Sequence, residues 1–269
     1  MGVLNVTPDS FSDGGQYADP AAAVERARYL AAQGADVLDV GGESTRPGAK
    51  SVSEAEELAR VIPAITAIRS AGIGLPLSVD TRKARVACEA LSAGADMVND
   101  VSGTLMEKPA LEAVAARGAA VVLMHNRGTS EKMYAQADYE NVVEDVRAEL
   151  ARLYEKTLGA GVREDAIVLD PGIGFAKRAA DSWALLDGLG RIASLGRPVM
   201  VGASRKSFLK DVFGEELERG TQAASVVALL RGARLLRVHE PGPLRDLSFC
   251  RAGRSAHRAV SLGDEVPSL

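Results

Sequence analysis

Asp80, Asn99 and Asp170 each stand at the end of a short apolar, β-branched run, and so do Asn5, Glu43, His125, the pair Arg205 and Lys206, and the pair Arg237 and His239. A further cation, Arg46, lies in Gly41-Gly42-Glu43-Ser44-Thr45-Arg46-Pro47-Gly48, where two glycines let backbone approach a ligand and the arginine presents a planar fork suited to phosphate or carboxylate. Sorted by chemistry, these residues form an acid-amide set (Asp80, Asn99, Asp170) and a basic set (Arg46, Lys206, Arg237, His239). Carboxylates with an amide can pair with a fused heterocycle that has an amidine-like edge, while the cations suit phosphate, so the two sets read as two ends of one ligand. Singly, each residue has a plainer reading: Asp80 and Asp170 as helix caps, Asn99 as the brace of a turn, His125 as a satisfied core histidine. Together at strand ends they point to a site. Asn5 offers a neutral oxygen, so a Mg²⁺ would be carried mainly by substrate phosphates, and no dedicated metal cage is visible.

The elements that must position these residues alternate. Strands are expected at 2–6, 37–41, 75–80, 96–99, 119–124, 166–169, 198–201 and 234–238. Helices fall between them: one capped by Asp19 with Pro20 at its first position and ending at Gly34, one opened by a Ser53/Glu56 capping box and reaching Ser70, one to Gly94, and one over 109–118. A long amphipathic helix over 139–160, a helix over 179–193 and helical segments up to Gly232 complete the series. Eight strand-helix units in 269 residues fit a single parallel (β/α)8 TIM barrel domain, 1–269, with long mobile loops after strands 1 and 2. A doubly wound sheet is the other architecture the alternation permits. It is disfavoured because no Gly-x-Gly-x-x-Gly joins the first strand to the first helix and polar residues end nearly every strand instead of gathering at one switch point. In a barrel all the strand ends face one mouth.

With 46% hydrophobic and 25% charged residues, the chain has the composition of a soluble globular protein. Its net charge of -4 gives no global field for nucleic acid or anionic membrane, so an anionic substrate needs a local basic cluster. Cys88 and Cys250 are far apart, without metal-type spacing, which fits a reducing cytoplasm. No apolar run has the length of a membrane span.

Asn5 to Gly15 (Asn-Val-Thr-Pro-Asp-Ser-Phe-Ser-Asp-Gly-Gly), Asp39 to Gly48, Ser78-Val79-Asp80-Thr81, Asn99-Asp100-Val101, Leu169 to Phe175, Ser204-Arg205-Lys206-Ser207 and Arg237-Val238-His239 resemble, in order, the motifs of the dihydropteroate synthase family. The resemblance spans residues 2 to about 240. It implies a barrel transferase of folate synthesis that joins 6-hydroxymethyl-7,8-dihydropterin diphosphate to 4-aminobenzoate with loss of diphosphate. By the same resemblance Asp80, Asn99, Met124, Asp170, Gly202 and Lys206 bind the pterin. Asn5, Arg46, Arg237 and His239 serve diphosphate, with Asn5 on Mg²⁺. Thr45, Arg46, Pro47 and Ser207 form the aminobenzoate side, and Asp13 is a loop carboxylate that offsets cationic charge on the pterin. Asp13, Arg46, Lys206, Arg237 and His239 are the expected catalytic group.

An aromatic amine is a weak nucleophile, so the favoured route lets diphosphate leave first and the amine capture a delocalised pterin cation, an SN1-like course resting on electrostatic stabilisation. No Ser-His-Asp arrangement is called for. The chain departs from the family in starting directly at strand one, in Asp181-Ser182-Trp183 where an asparagine is common, and in Glu240 followed by Pro241-Gly242-Pro243, which disrupts a final helix that lies near the family's dimer contact. A homodimer is the expected assembly. Two other readings share the pterin set: a methyltetrahydrofolate-dependent methyltransferase domain, which has no need of the diphosphate cations, and a silent pterin-binding paralogue.

Overall fold

The computed structural model describes residues 1–7, 19–44, 51–103, 107–128, 133–245 and 247, with the side chains of 133 and 134 excepted. Eight parallel strands follow in chain order: β1 Gly2–Asn5, β2 Leu38–Gly41, β3 Leu77–Thr81, β4 Met97–Asp100, β5 Ala120–Met124, β6 Ile167–Asp170, β7 Met200–Val201 and β8 Leu235–Leu236. The first six form one sheet in sequence order, and β7 pairs with β8. Parallel bridges Leu169↔Val199 and Gly2↔Val238 join these two sheets into a closed barrel. Val3 N–H donates to Val238 O (2.9 Å) and Val238 N–H to Met1 O (3.0 Å) across the second seam. The TIM barrel is therefore the observed architecture. Its strands read as nearly continuous apolar runs because a parallel sheet inside a ring of helices is covered on both faces.

The helices are α1 Pro20–Ala32, α2 Glu54–Ser70, α3 Ala84–Ala93, α4 Lys108–Arg117, α5 Val142–Gly159, α6 Ala179–Asp187, α7 Leu189–Ala193, α8 Lys210–Phe213 and α9 Leu217–Leu230. Asp19 caps α1 by accepting from Ala21 N–H at 2.9 Å, with Pro20 in its first turn as expected. The Ser53 cap forms with Glu56 N–H (3.2 Å), but the reciprocal half of the capping box is diverted, because Glu56 pairs with Arg60 one turn along. The helix expected over 179–193 is two helices, interrupted at Gly188, a poor helix residue that ends α6 on Ala184 O. The one expected from 139 begins at Val142 behind an Asn141 cap; Tyr139 lies outside it and donates its hydroxyl to Ala176 O at 2.9 Å. Strands β7 and β8 are shorter than expected. Pro198 lacks an N–H for the ladder, though its carbonyl still accepts from Leu169 N–H.

The core is the layer between strands and helices, with Leu4, Leu38, Val40, Val79, Val98, Val121, Leu169 and Val201 against Leu30, Ile65, Ile68, Leu150, Leu185 and Ile192. A smaller cluster of Met1, Val122 and Met200 packs with Val37, Met97, Val168 and Leu235. No helix among the described residues is long and apolar enough to cross a membrane.

Candidate active site

Strand register puts much of the acid-amide set in one layer. Asn5 pairs with Gly41, Gly41 with Asp80, and Asp80 with Asn99. Gly41 has no side chain to separate its neighbours: a Cβ there would lie 3.5 Å from Asp80 Cβ and 3.7 Å from Asn5 Oδ1. On the far side, β6 sets Asp170 level with Met124, and Asp170 Oδ1 accepts from Gly172 N–H at 2.7 Å. Asp80, Asn99 and Asp170 are all buried, as expected of groups that face a barrel mouth.

Arg237 connects this layer. Its Nε donates to Asp39 Oδ2 at 2.6 Å and its Nη2 to Asp80 Oδ2, and Asn99 Nδ2 donates to the same Asp39 oxygen at 3.1 Å. Arg237 thus bridges the acid-amide and basic sets, because a fully buried Asp39 needs a cation close by. Asp39 was not singled out among the candidate residues. The signal was present, as a lone carboxylate between Leu38 and Val40 in an otherwise apolar strand. Oδ1 of Asp39, Oδ1 of Asp80 and Oδ1 of Asn99 are buried with no hydrogen-bond partner among the described residues. Three acceptors at the centre of one mouth make it acceptor-rich and suited to a ligand edge of N–H donors.

Lys206 faces this layer from the loop after β7. Its Nζ donates to Ile173 O and lies 3.8 Å from the centroid of the Phe175 ring. Burial lowers its ammonium pKa to about 7, against the pull of Asp170, with Arg237 adding to the depression. Burial likewise raises the carboxyls of Asp80 and Asp170, opposed at Asp80 by Arg237 and at Asp170 by the Gly172 N–H. A cavity opens over Asp80 between Thr81, Val101, Asn126 and Phe175. The last three carry no charge and stand in the sequence as ordinary loop and core residues.

The remaining expected residues divide. His239 sits with its Nδ1 2.9 Å from Ser204 Oγ, while its carbonyl accepts from Arg26 of α1 at 2.7 Å. The next residue, Glu240, reaches α1 as well, accepting from Arg26 (3.0 Å) and Tyr29 (2.9 Å). Gly202 packs beside Arg237, and Ser207 is exposed at the start of a 3₁₀ turn. Arg205 is not in the mouth: its backbone is left-handed (φ 58°), its N–H donates to Thr221 Oγ1 at 3.0 Å, and its guanidinium pairs with Glu218. Glu43 is tied to Arg82 and Lys83, and Lys83 also holds Glu57, so it serves as scaffold under the loop after β2. Gly42 is needed there, since a Cβ would meet Val61 Cγ2 at 2.7 Å. Asp181 accepts from Arg178 N–H at 2.9 Å and Trp183 packs edge-on to Phe208, so this departure from the family pattern is structural. Asp13, Thr45, Arg46 and Pro47 lie outside the described residues, as do most of the loops after β1 and β2.

Among the described residues no group of three or more His, Cys, Asp or Glu side chains could hold a metal ion. Asn5, at the mouth beside Gly41, offers one neutral oxygen. That donor set fits a hard cation coordinated chiefly by ligand oxygens.

A family model described as pterin binding enzyme matches residues 1–239. A dihydropteroate synthase of Synechocystis sp. is 43% identical over 244 residues, covering 89% of this chain and 84% of that protein. The structure of Xanthomonas albilineans dihydropteroate synthase with 4-aminobenzoic acid superposes with a TM-score of 0.84 at 43% identity, covering 97% of this chain and 93% of that one. The same enzyme in complex with 7,8-dihydropteroate gives a TM-score of 0.83 at 40% identity, covering 95% and 93%.

Proposed function

The chain belongs to the pterin binding enzyme family, and on that premise we propose that it works as a dihydropteroate synthase, joining 6-hydroxymethyl-7,8-dihydropterin diphosphate to 4-aminobenzoate. The observation that carries this reading is the acceptor-rich layer of Asp39, Asp80 and Asn99, with Asp170 across the mouth from it. A pterin presents an amino group and ring N–H donors along one edge. Buried carboxylates and an amide oxygen bind such an edge strongly and reject analogues that lack it, because the site's own polar groups would then stay unpaired.

The reaction breaks the carbon-oxygen bond to diphosphate, whose oxygen leaves with the electron pair. The amine of 4-aminobenzoate then forms the new carbon-nitrogen bond and loses a proton. Lys206 and His239, with Arg46, stabilise negative charge where diphosphate departs, and Arg237 orders the carboxylates that grip the pterin. Asp13 offsets positive charge on the pterin, and Thr45, Pro47 and Ser207 border the aminobenzoate. Asn5 is the residue that would hold Mg²⁺ together with diphosphate oxygens, and the ion would supply charge stabilisation to the leaving group. A cytoplasmic site of action agrees with substrates that are small charged metabolites.

The test is diphosphate release with pterin diphosphate, Mg²⁺ and 4-aminobenzoate, compared with the same mixture lacking the amine. Stoichiometric diphosphate and dihydropteroate support the reading. Pterin binding without turnover would make the chain a silent binder, and methyl transfer from methyltetrahydrofolate would replace the assignment altogether.

A further inference from the structure

Lys177 has one of the largest fully buried side chains among the described residues, yet it has no part in the site described above. Its Nζ donates to Phe175 O at 2.8 Å and faces His125 Nδ1 at 2.9 Å, with His125 O at 3.4 Å. The Glu149 carboxylate can only accept, so the proton of the neutral imidazole is on Nε2, which faces Glu149 Oε2 at 2.9 Å, and Nδ1 accepts from Lys177 Nζ. Glu149, on α5, also holds Arg127, and the Arg127 guanidinium lies 4.1 Å from the centroid of the Tyr139 ring. The Tyr139 hydroxyl returns to the same loop at Ala176 O.

This circuit encloses Phe175, Ala176 and Lys177. Ala176 has φ 48°, a left-handed conformation that is unfavourable for a residue with a Cβ and persists only where its surroundings over-determine it. The loop is also pressed against β5, since a Cβ on Gly172 would lie 1.9 Å from His125 O. Its other face meets the mouth: Gly172 N–H is on Asp170, and Ile173 O and the Phe175 ring are both on Lys206.

We propose that Lys177 is a positioning residue: by tying the Phe175 carbonyl to His125 it fixes the loop over 171–177, so that Ile173 O and the Phe175 ring hold the Lys206 ammonium against the mouth. The geometry stands without the functional reading, and only its consequence for pterin binding rests on that reading. The charged groups that act on Lys206 are Asp170, Asp80 and Arg237; those that act on Lys177 are Asp170, Lys206, Arg127 and Glu149.

The experiment follows the Lys206 side chain of the ligand-free protein by lysine ¹³Cε NMR over a pH series, with Lys206→Met to assign the signal. Lys177→Met keeps the apolar stem and removes the donors. It is expected to move the Lys206 titration upward from about 7 by roughly one pH unit or more, and because loss of the neighbouring Lys177 charge alone raises it, the share that runs through the loop is read in the charge-neutral Tyr139→Phe. Affinity for pterin diphosphate should fall about tenfold or more. In a Lys206→Met background the same change should cost almost nothing further, because the effect runs through Lys206. Tyr139→Phe removes the second, half-buried strut, shifts the same signal in the same direction by less, and decides the matter if Lys177→Met does not fold. An unmoved Lys206 signal in a folded variant overturns the proposal. A shifted signal in a protein that binds no pterin diphosphate supports the positioning role and removes the functional reading instead.

Discussion

Arg237 and Asp39 are 198 positions apart in the chain, yet they meet at 2.6 Å at the centre of the barrel, with Asp80 on the same guanidinium. Removing one carboxylate strands a buried charge. Asp39→Ala is expected to lower the unfolding free energy by about 3–5 kcal/mol, with Asp39→Asn milder because the amide oxygen still accepts. Urea titration gives the number, and a midpoint equal to that of the parent would mean Asp80 alone satisfies Arg237.

Asp170→Asn separates the turn from the pocket. The amide oxygen can still receive Gly172 N–H, so the loop is retained, while the other carboxylate oxygen becomes a donor that opposes the pterin edge. Binding of pterin diphosphate should weaken by about 1.5–3 kcal/mol in calorimetry. Unchanged affinity in a folded variant takes Asp170 out of the ligand contacts.

Acid lability follows from His125. Burial holds its imidazole pKa down to about 4, while in the unfolded chain it titrates at about 6.5. A depressed pKa in the folded state means stability that is full above about pH 6.5 and is lost as pH falls through about 4, because the unfolded state takes up the proton first. His125 should contribute about 1.4 kcal/mol per pH unit to the slope within that window, read as the difference between the parent and His125→Gln, because the raised carboxyls of Asp80 and Asp170 titrate there with the opposite sign. Glu149, drawn down to about 2 by its hydrogen bond from His125, adds a second loss below about pH 4.3. Denaturant midpoints measured from pH 7 to pH 4 test this, and identical slopes in parent and variant would exclude His125 as the titrating group.

On the role proposed for Asp13, Asp13→Asn should lower kcat and kcat/KM together while substrate binding holds, since the charge it would offset appears only as the carbon-oxygen bond breaks. Steady-state kinetics with single-turnover controls distinguish this from a loop defect, which would raise KM alone.

The barrel was legible in the sequence because eight β-branched runs alternate with helical patterns and nearly every run ends in a polar residue. So was the membership of the rim: Asn5, Asp80, Asn99 and Asp170 stand at the mouth where the strand ends put them. Partnership was not legible. Nothing local to Arg237 says that it will choose Asp39 and Asp80, a choice made by closure of the barrel over long sequence separation. Arg205 was misjudged for a different reason, because a left-handed backbone turned a residue beside Lys206 outward. Tyr139 continued a helical pattern but left the helix for a carbonyl on the loop after β6, a tertiary contact that outweighs propensity.

The two seams on either side of β7 and β8 are each a single bridge wide, whereas the other strand pairs share longer ladders. Those two strands lead into the cations Lys206 and Arg237, and the six-stranded body carries Asp39, Asp80 and Asp170. Attraction between ligand-binding groups therefore acts as a suture across the thin seams, so the charges that recognise substrate also help to keep the ring shut. Ligand acts on the same joint: an anion that draws Arg237 away must itself take over the stitching, whereas salt screens such buried pairs far less than exposed ones.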